Sequence, residues 1–307
     1  MHFDFFSLEF LKIIEGIRTP FGDWLFYFIT FGGEEVTLLA ALCILFWCVD
    51  TKWAYRLAFS FFCSAMVVHM IKLTLRIPRP WVRDPSLTIV ERARASATGY
   101  SFPSGHTQTS TSLFGTLIFN TKKKWLVLLS FLAIFLVMFS RMYLGVHTPA
   151  DVGVSFVLSL LIVYGINRLI DTMELTPGKR KLIAIGFSLL AVCACSYSLY
   201  LYKSGAVPYS DLADCCKGGA AGIGFAICWY VETIYIRFDP KATSFNGQLL
   251  KLLLGIGGVL LFKSGLKLLI GTSVFADMFR YFAIVIWAML LMPLIIRRFF
   301  SQRKAMD

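Results

Sequence analysis

Runs of apolar residues alternate along this chain with short polar connections. Nine of them lie near residues 34–49, 53–75, 104–121, 124–143, 149–170, 181–202, 212–236, 247–270 and 276–297. A bilayer-crossing helix needs about 20 apolar residues, and 34–49 is the shortest candidate. Residues 3–18, FDFFSLEFLKIIEGIR, set apolar positions around charged ones at helical spacing, which predicts an amphipathic helix lying at the membrane interface. An aromatic stretch at 21–31 follows, with Glu34 and Glu35 after it as interfacial caps of the first span. The pattern predicts an all-α, polytopic membrane helical bundle of about nine transmembrane helices behind an interfacial amphipathic helix. Three parts are expected: an interfacial segment over 1–33, a membrane core over 34–175 and additional membrane helices over 176–307.

Composition agrees with the pattern. Of 307 residues, 57% are hydrophobic and only 16% charged, whereas soluble domains carry about 25% charged residues. Six of the eight cysteines fall inside apolar runs and the pair Cys215–Cys216 opens another, so they read as small buried hydrophobes. No CxxC pair and no histidine spacing suggests a metal site, and none is expected. No signal peptide is evident at the N-terminus.

Charge changes the picture from a bundle to an oriented one. The net charge of +12 would suit nucleic acid in a soluble protein, but no basic stripe interleaved with aromatics occurs, so nucleic acid is not an expected partner. The basic residues instead collect in alternate loops: Lys52 and Arg56, Lys122–Lys124, Arg168 and Lys179–Lys181, Arg237 and Lys241, and the tail with Arg303 and Lys304. The positive-inside rule places these loops in the cytoplasm. The N-terminus and the long 76–103 connection then face away from it. Pro78, Pro80 and Pro85 prevent that connection from continuing the preceding helix.

Three segments put ionisable residues where the chain should be apolar: Lys72–Pro80 (KLTLRIPRP), Pro103–His106 (PSGH) and Ser140–Asp151 (SRMYLGVHTPAD). All three fall on the outer face in the topology read from loop charge. Lys72 supplies a point charge and Arg79 a planar fork for phosphate oxygens, with Arg141 a third cation. Ser104 and Gly105 open a helix, whose N–H groups and dipole favour an anion. Thr148-Pro149-Ala150-Asp151 reads as an N-cap, a first-turn proline and an acidic third position. Asp151 can then hydrogen-bond one imidazole nitrogen of His147 and leave the other free to attack phosphorus. His106 is suited to protonate the leaving oxygen. Arg76 and Arg83 flank this set, while Glu91, Arg92 and Arg94 read as a solvated loop face, and Asp211, Asp214 and Lys217 as ion pairing.

The order K-x6-RP, PSGH, SR-x5-H-x3-D resembles the three-part signature of the type-2 phosphatidic acid phosphatase superfamily. It is carried here by Lys72, Arg79, Pro80, Pro103, Ser104, Gly105, His106, Ser140, Arg141, His147 and Asp151. The resemblance implies an integral membrane phosphatase without cofactor or metal. It further implies a phosphohistidine at His147, a proton from His106 and water as the second acceptor. The long architecture is similar to that of sphingosine-phosphate, dolichyl-diphosphate and glucose-6-phosphatases. The expected partners are a lipid phosphate substrate and membrane lipids; the expected setting is a bacterial cytoplasmic membrane with the site facing the extracytoplasmic side. Two alternatives stay open: a phosphotransferase using the same phosphohistidine, and a non-enzymatic lipid-binding or transport protein. The identity of the lipid and the oligomeric state are not legible.

Overall fold

The computed structural model describes residues 8–240 and 245–299. The first five residues of the expected amphipathic stretch, together with Lys241, Arg303 and Lys304, lie outside the described residues. Within them every regular element is helical. The chain forms two compact units, one from the described parts of Met1–Leu39 with Phe59–Asp171, the other from Ala40–Ala58 with the described parts of Thr172–Asp307.

The first unit begins with α1 (Glu9–Gly16) and α2 (Pro20–Ile29), and a 3₁₀ turn over Thr30–Gly33 ends at Glu34. Thr19 caps α2 by accepting from the Gly22 amide at 3.1 Å, and Pro20 takes the first helical position, where a missing N–H costs nothing. Among the described residues the amphipathic stretch predicted over 3–18 forms α1, and Thr19-Pro20 starts a new helix after it. Next, α3 (Glu35–Ile44) continues in a π-helical turn over Leu45–Val49 and crosses into the second unit.

The first unit resumes at Phe59, within α4 (Thr51–Leu75), and runs through a single turn, α5 (Pro80–Arg83), to α6 (Gly105–Asn120), α7 (Lys124–Tyr143) and α8 (Pro149–Thr172). α6 is unusual for a membrane helix, since Thr107–Ser112 and Thr116 are all buried. A buried hydroxyl without a partner costs about 1–3 kcal/mol, so the helix satisfies most of them locally. Ser112 and Thr116 donate to carbonyls four residues back, at 2.9 and 2.7 Å, while Gln108 Nε2 donates to Ser64 Oγ at 2.7 Å. At the far end Asn120 donates to Asn167 at 2.6 Å, tying α6 to α8.

The second unit holds α9 (Pro177–Lys203), α10 (Tyr209–Val231), α11 (Phe245–Ile270), α12 (Val274–Ile286) and α13 (Met292–Phe299). Its buried charges are partnered. Lys251, fully buried, donates to the carbonyls of Pro240 and Trp47 at 2.7 and 3.2 Å, and Glu232 accepts from Tyr55. Lys217 reaches Asp214 at 3.0 Å and Asp277 at 3.5 Å, and Asp277 pairs with Arg280.

Among the described residues, seven helices are long and apolar enough to cross a membrane, or eight when α2 and α3 with their flanking turns count as one broken span. The two expected spans that fall short are 34–49, which is one arm of a pair bent by 49°, and 104–121, which forms only the 16 residues of the hydroxyl-rich α6. Apolar side chains cover the outside: Leu268 and Leu269 of α11 are 88% and 80% exposed. Such surfaces are stable against lipid tails and not against water. The chain is an integral membrane protein.

Candidate active site

The three polar segments meet at one end of the first unit. α7 ends in a Schellman turn: Gly145, at φ +79°, donates to the Met142 carbonyl at 3.0 Å and Val146 to that of Arg141 at 3.1 Å. A Cβ on Gly145 would also lie 3.0 Å from the Thr88 carbonyl oxygen, so glycine meets both the backbone and the space requirement. The turn delivers His147 to the mouth of α8. There Thr148 donates its amide to Asp151 Oδ2 at 2.7 Å and its hydroxyl accepts from the Asp151 amide at 3.3 Å, the reciprocal cap expected of Thr-Pro-Ala-Asp. The start of α6 is stitched to this point. The Ser104 amide donates to the Asp151 carbonyl at 3.0 Å, and Ser155 of α8 donates to the Ser104 carbonyl at 2.6 Å.

Arg79 sits at the centre and is 5% exposed. Its Nε donates to the Gly99 carbonyl at 3.1 Å, Nη2 to Thr98 at 2.6 Å, and Nη1 to both the Val146 carbonyl at 3.1 Å and His147 Nε2 at 2.8 Å. One side chain thus fixes the long loop, the turn after α7 and the histidine ring. His147 is buried. That burial, then the charges of Arg79, Arg141 and Lys72, push its imidazole well below the ordinary range of histidine, so the ring rests as the neutral base.

The expected hydrogen bond between His147 and Asp151 is not formed. Nδ1 and Oδ2 stand 3.4 Å apart, and Nδ1 has no hydrogen-bond partner among the described residues. The reason is local: Oδ2 already accepts from the Thr148 amide and from Ser101 Oγ at 2.5 Å. Asp151 is therefore held by the cap and by Ser101, with its carboxylate 3.4 Å from the ring.

Arg141 is fully buried. Nη1 donates to Thr30 Oγ1 at 2.9 Å, whereas Nε and Nη2 have no partner among the described residues. A buried guanidinium with two unbonded nitrogens is costly unless an anion meets it. Ser104 Oγ is occupied as the N-cap of α6, accepting from the amide and hydroxyl of Thr107. A Cβ on Gly105 would meet nothing within 4 Å, so that backbone faces open space. Lys72 contributes charge toward His147 from the last turn of α4.

His106 carries a contact that the sequence reading missed. Its Nε2 donates to Glu34 Oε1 at 3.0 Å. Glu34 was expected only as an interfacial cap, yet its side chain turns into the site from the bend after α2. Thr30 and Ser101 were missed as well. For the bend the available signal was Gly32-Gly33 followed by two acids inside an aromatic run; for Ser101 no signal was present. Arg94 pairs with Glu91 at 2.8 Å on the exposed loop, as expected, while Arg92 stacks over Trp24 at 3.4 Å.

Residues 53–175 match the family model described as PAP2 superfamily, and residues 216–304 match one described as PAP2 superfamily phosphatase, transmembrane extension. The chain belongs to the PAP2 superfamily. It is 25% identical over 262 residues to sphingosine-1-phosphate phosphatase 1 of Rattus norvegicus, covering 79% of this chain and 60% of that protein. To sphingosine-1-phosphate phosphatase 2 of Homo sapiens it is 29% identical over 242 residues, 74% of this chain and 57% of that one. To undecaprenyl-diphosphatase of Sulfolobus acidocaldarius it is 28% identical over 148 residues, 48% and 70% respectively. The crystal structure of Aquifex aeolicus LpxE aligns at a TM-score of 0.48 with 23% identity, over 55% of this chain and 99% of that one. The chain spans 60% or less of the length of the two sphingosine-1-phosphate phosphatases it matches.

Proposed function

We propose that this protein is a membrane phosphatase that hydrolyses a lipid phosphate, a phosphomonoester or a diphosphate, through a phosphohistidine on His147. The observation that carries the reading is Arg141, buried with Nε and Nη2 unbonded beside a site that also holds His147, His106, Arg79 and Lys72. The PAP2 superfamily match and the names of the relatives, which specify sphingosine-1-phosphate and undecaprenyl diphosphate, support a lipid phosphate as substrate.

The geometry suits two balanced steps. Phosphate oxygens take the free N–H groups of Arg141 and compete with His147 for Nη1 of Arg79, which releases Nε2 of the neutral ring. Nε2 then forms a bond to phosphorus as the phosphorus–oxygen bond to the lipid breaks, and His106 gives its proton to the leaving oxygen. Positive charge that develops on His147 is met by Asp151 at Nδ1. In the second step water gives a proton to His106 and its oxygen bonds phosphorus, the nitrogen–phosphorus bond breaks and phosphate leaves. Most of the stabilisation comes from fixed cations aimed at the transferring group.

The distribution of Lys and Arg along the chain supports a site on the extracytoplasmic side of a membrane, which we take to be a bacterial cytoplasmic membrane. Phosphate release by the purified protein from lipid phosphomonoesters and diphosphates tests the function. Turnover that vanishes in His147→Ala is the expected result. Binding of the lipid without turnover in the unmodified protein would overturn it.

A further inference from the structure

We infer that Glu34 is a positioning residue for the proposed proton donor, holding His106 by Nε2 so that Nδ1 is the ring atom that hands its proton to the leaving oxygen. The inference rests on the functional reading above and extends it to a residue outside the span 53–175 that the PAP2 superfamily model matches.

Three observations carry it. The Nε2–Oε1 distance is 3.0 Å, and the His106 side chain is only 12% exposed, so the carboxylate is its close charged partner in a poorly hydrated place. The bend that bears Glu34 is packed hard against the start of α6: a Cβ on Gly33 would lie 2.6 Å from the His106 carbonyl oxygen and 2.9 Å from Val137. The same bend supplies Thr30 to Arg141, so it forms a wall of the site.

A general acid must carry its proton when substrate is bound. The charged groups that face His106 are Glu34 from the bend, Arg141 from α7 and Arg79 from the approach to α5, with His147 beyond them. Burial opposes an imidazolium most, the guanidinium groups oppose it further, and the Glu34 carboxylate favours it. With Nε2 committed to Glu34, a proton on Nδ1 is the one available for transfer. When the leaving oxygen has taken it, the carboxylate keeps the ring in the tautomer that can accept a proton from water at the same nitrogen.

The test compares Glu34→Gln, Glu34→Asp and His106→Ala in detergent, on an alkyl lipid phosphate and on p-nitrophenyl phosphate, across pH. Glu34→Gln keeps the shape and removes the charge. It should slow kcat/KM on the alkyl ester by about tenfold or more, part of the 10²–10⁴-fold that acid catalysis supplies, and leave the nitrophenyl ester nearly unchanged. Its basic limb on the alkyl ester should move to lower pH, because the imidazolium loses its anion. Glu34→Asp should restore much of the rate and the limb. Equal loss on both esters with an unmoved limb would assign Glu34 to structure alone and overturn the inference, provided His106→Ala still discriminates between the esters. If His106→Ala fails to discriminate, the acid role of His106 falls, and the inference with it.

Discussion

Arg79 donates from Nη1 to Nε2 of His147 at 2.8 Å, which places a guanidinium on the nitrogen proposed to attack phosphorus. The same group spends Nε and Nη2 on the carbonyls of Gly99 and Thr98. Arg79 is thus a fixed fork with one contact to exchange. Lysine offers one point charge in place of that fork. Arg79→Lys should lower kcat/KM by about 10²-fold or more, since each hydrogen bond from a charged donor is worth about 1.5–3 kcal/mol. Steady-state rates of the two proteins on one lipid phosphate check this.

The neutral state of His147 is a second consequence. Burial and the positive charges of Arg79, Arg141 and Lys72 all oppose protonation, so the ring should remain neutral well below pH 6.5. Removing one of those charges works in the opposite direction. In Arg79→Gln the His147 pKa should rise toward the ordinary value. Nitrogen NMR of the selectively labelled ring, followed from pH 8 down to pH 5, reads both states directly.

Thr30 leads to a prediction about phosphate affinity. Its hydroxyl accepts from Arg141 Nη1 at 2.9 Å, and Thr30 is itself buried. Thr30→Val keeps the shape and removes the acceptor, leaving Arg141 free to turn. Inhibition by vanadate or inorganic phosphate should weaken by about tenfold, the scale of one hydrogen bond to a charged group. Inhibition constants for the variant and the parent protein provide the check.

These residues show how unevenly the site was legible. The cap Thr148-Pro149-Ala150-Asp151 could be read from four letters, because its hydrogen bonds are local. The convergence of Lys72, Arg79, Ser104, His106, Arg141 and His147 could be inferred from hairpin topology and loop charge. Glu34 could not: its partner is 72 residues away, and an acid at the end of an apolar run reads as a cap. The missing Asp151–His147 hydrogen bond was hidden for a related reason, since Ser101 competes for the carboxylate from a loop without regular pattern. In the bundle, seven of the nine expected spans form helices long and apolar enough to cross a membrane among the described residues, whereas 104–121 forms only the 16 residues of α6, whose hydroxyl-bearing positions are largely buried.

The orientation proposed from the loop charges is open to direct test. Lys122–Lys124 should be cytoplasmic and residues 82–100 should not. Single cysteines introduced at each place, treated in intact cells with a thiol reagent that cannot cross the membrane, should react only in the second. Reaction of the first alone would reverse the topology.

The central claim is the bond between phosphorus and His147 Nε2. Brief incubation with a lipid carrying radiolabelled phosphate, followed by denaturing quench, should leave label on the protein that survives base and is lost in acid, as a nitrogen–phosphorus bond requires. Peptide mapping should place the label on His147. His147→Ala should carry none, and the unmodified protein should lose its label on a chase at the rate of turnover. Undiminished label in His147→Ala, or label that is lost in base as an acyl or ester phosphate would be, would contradict the account.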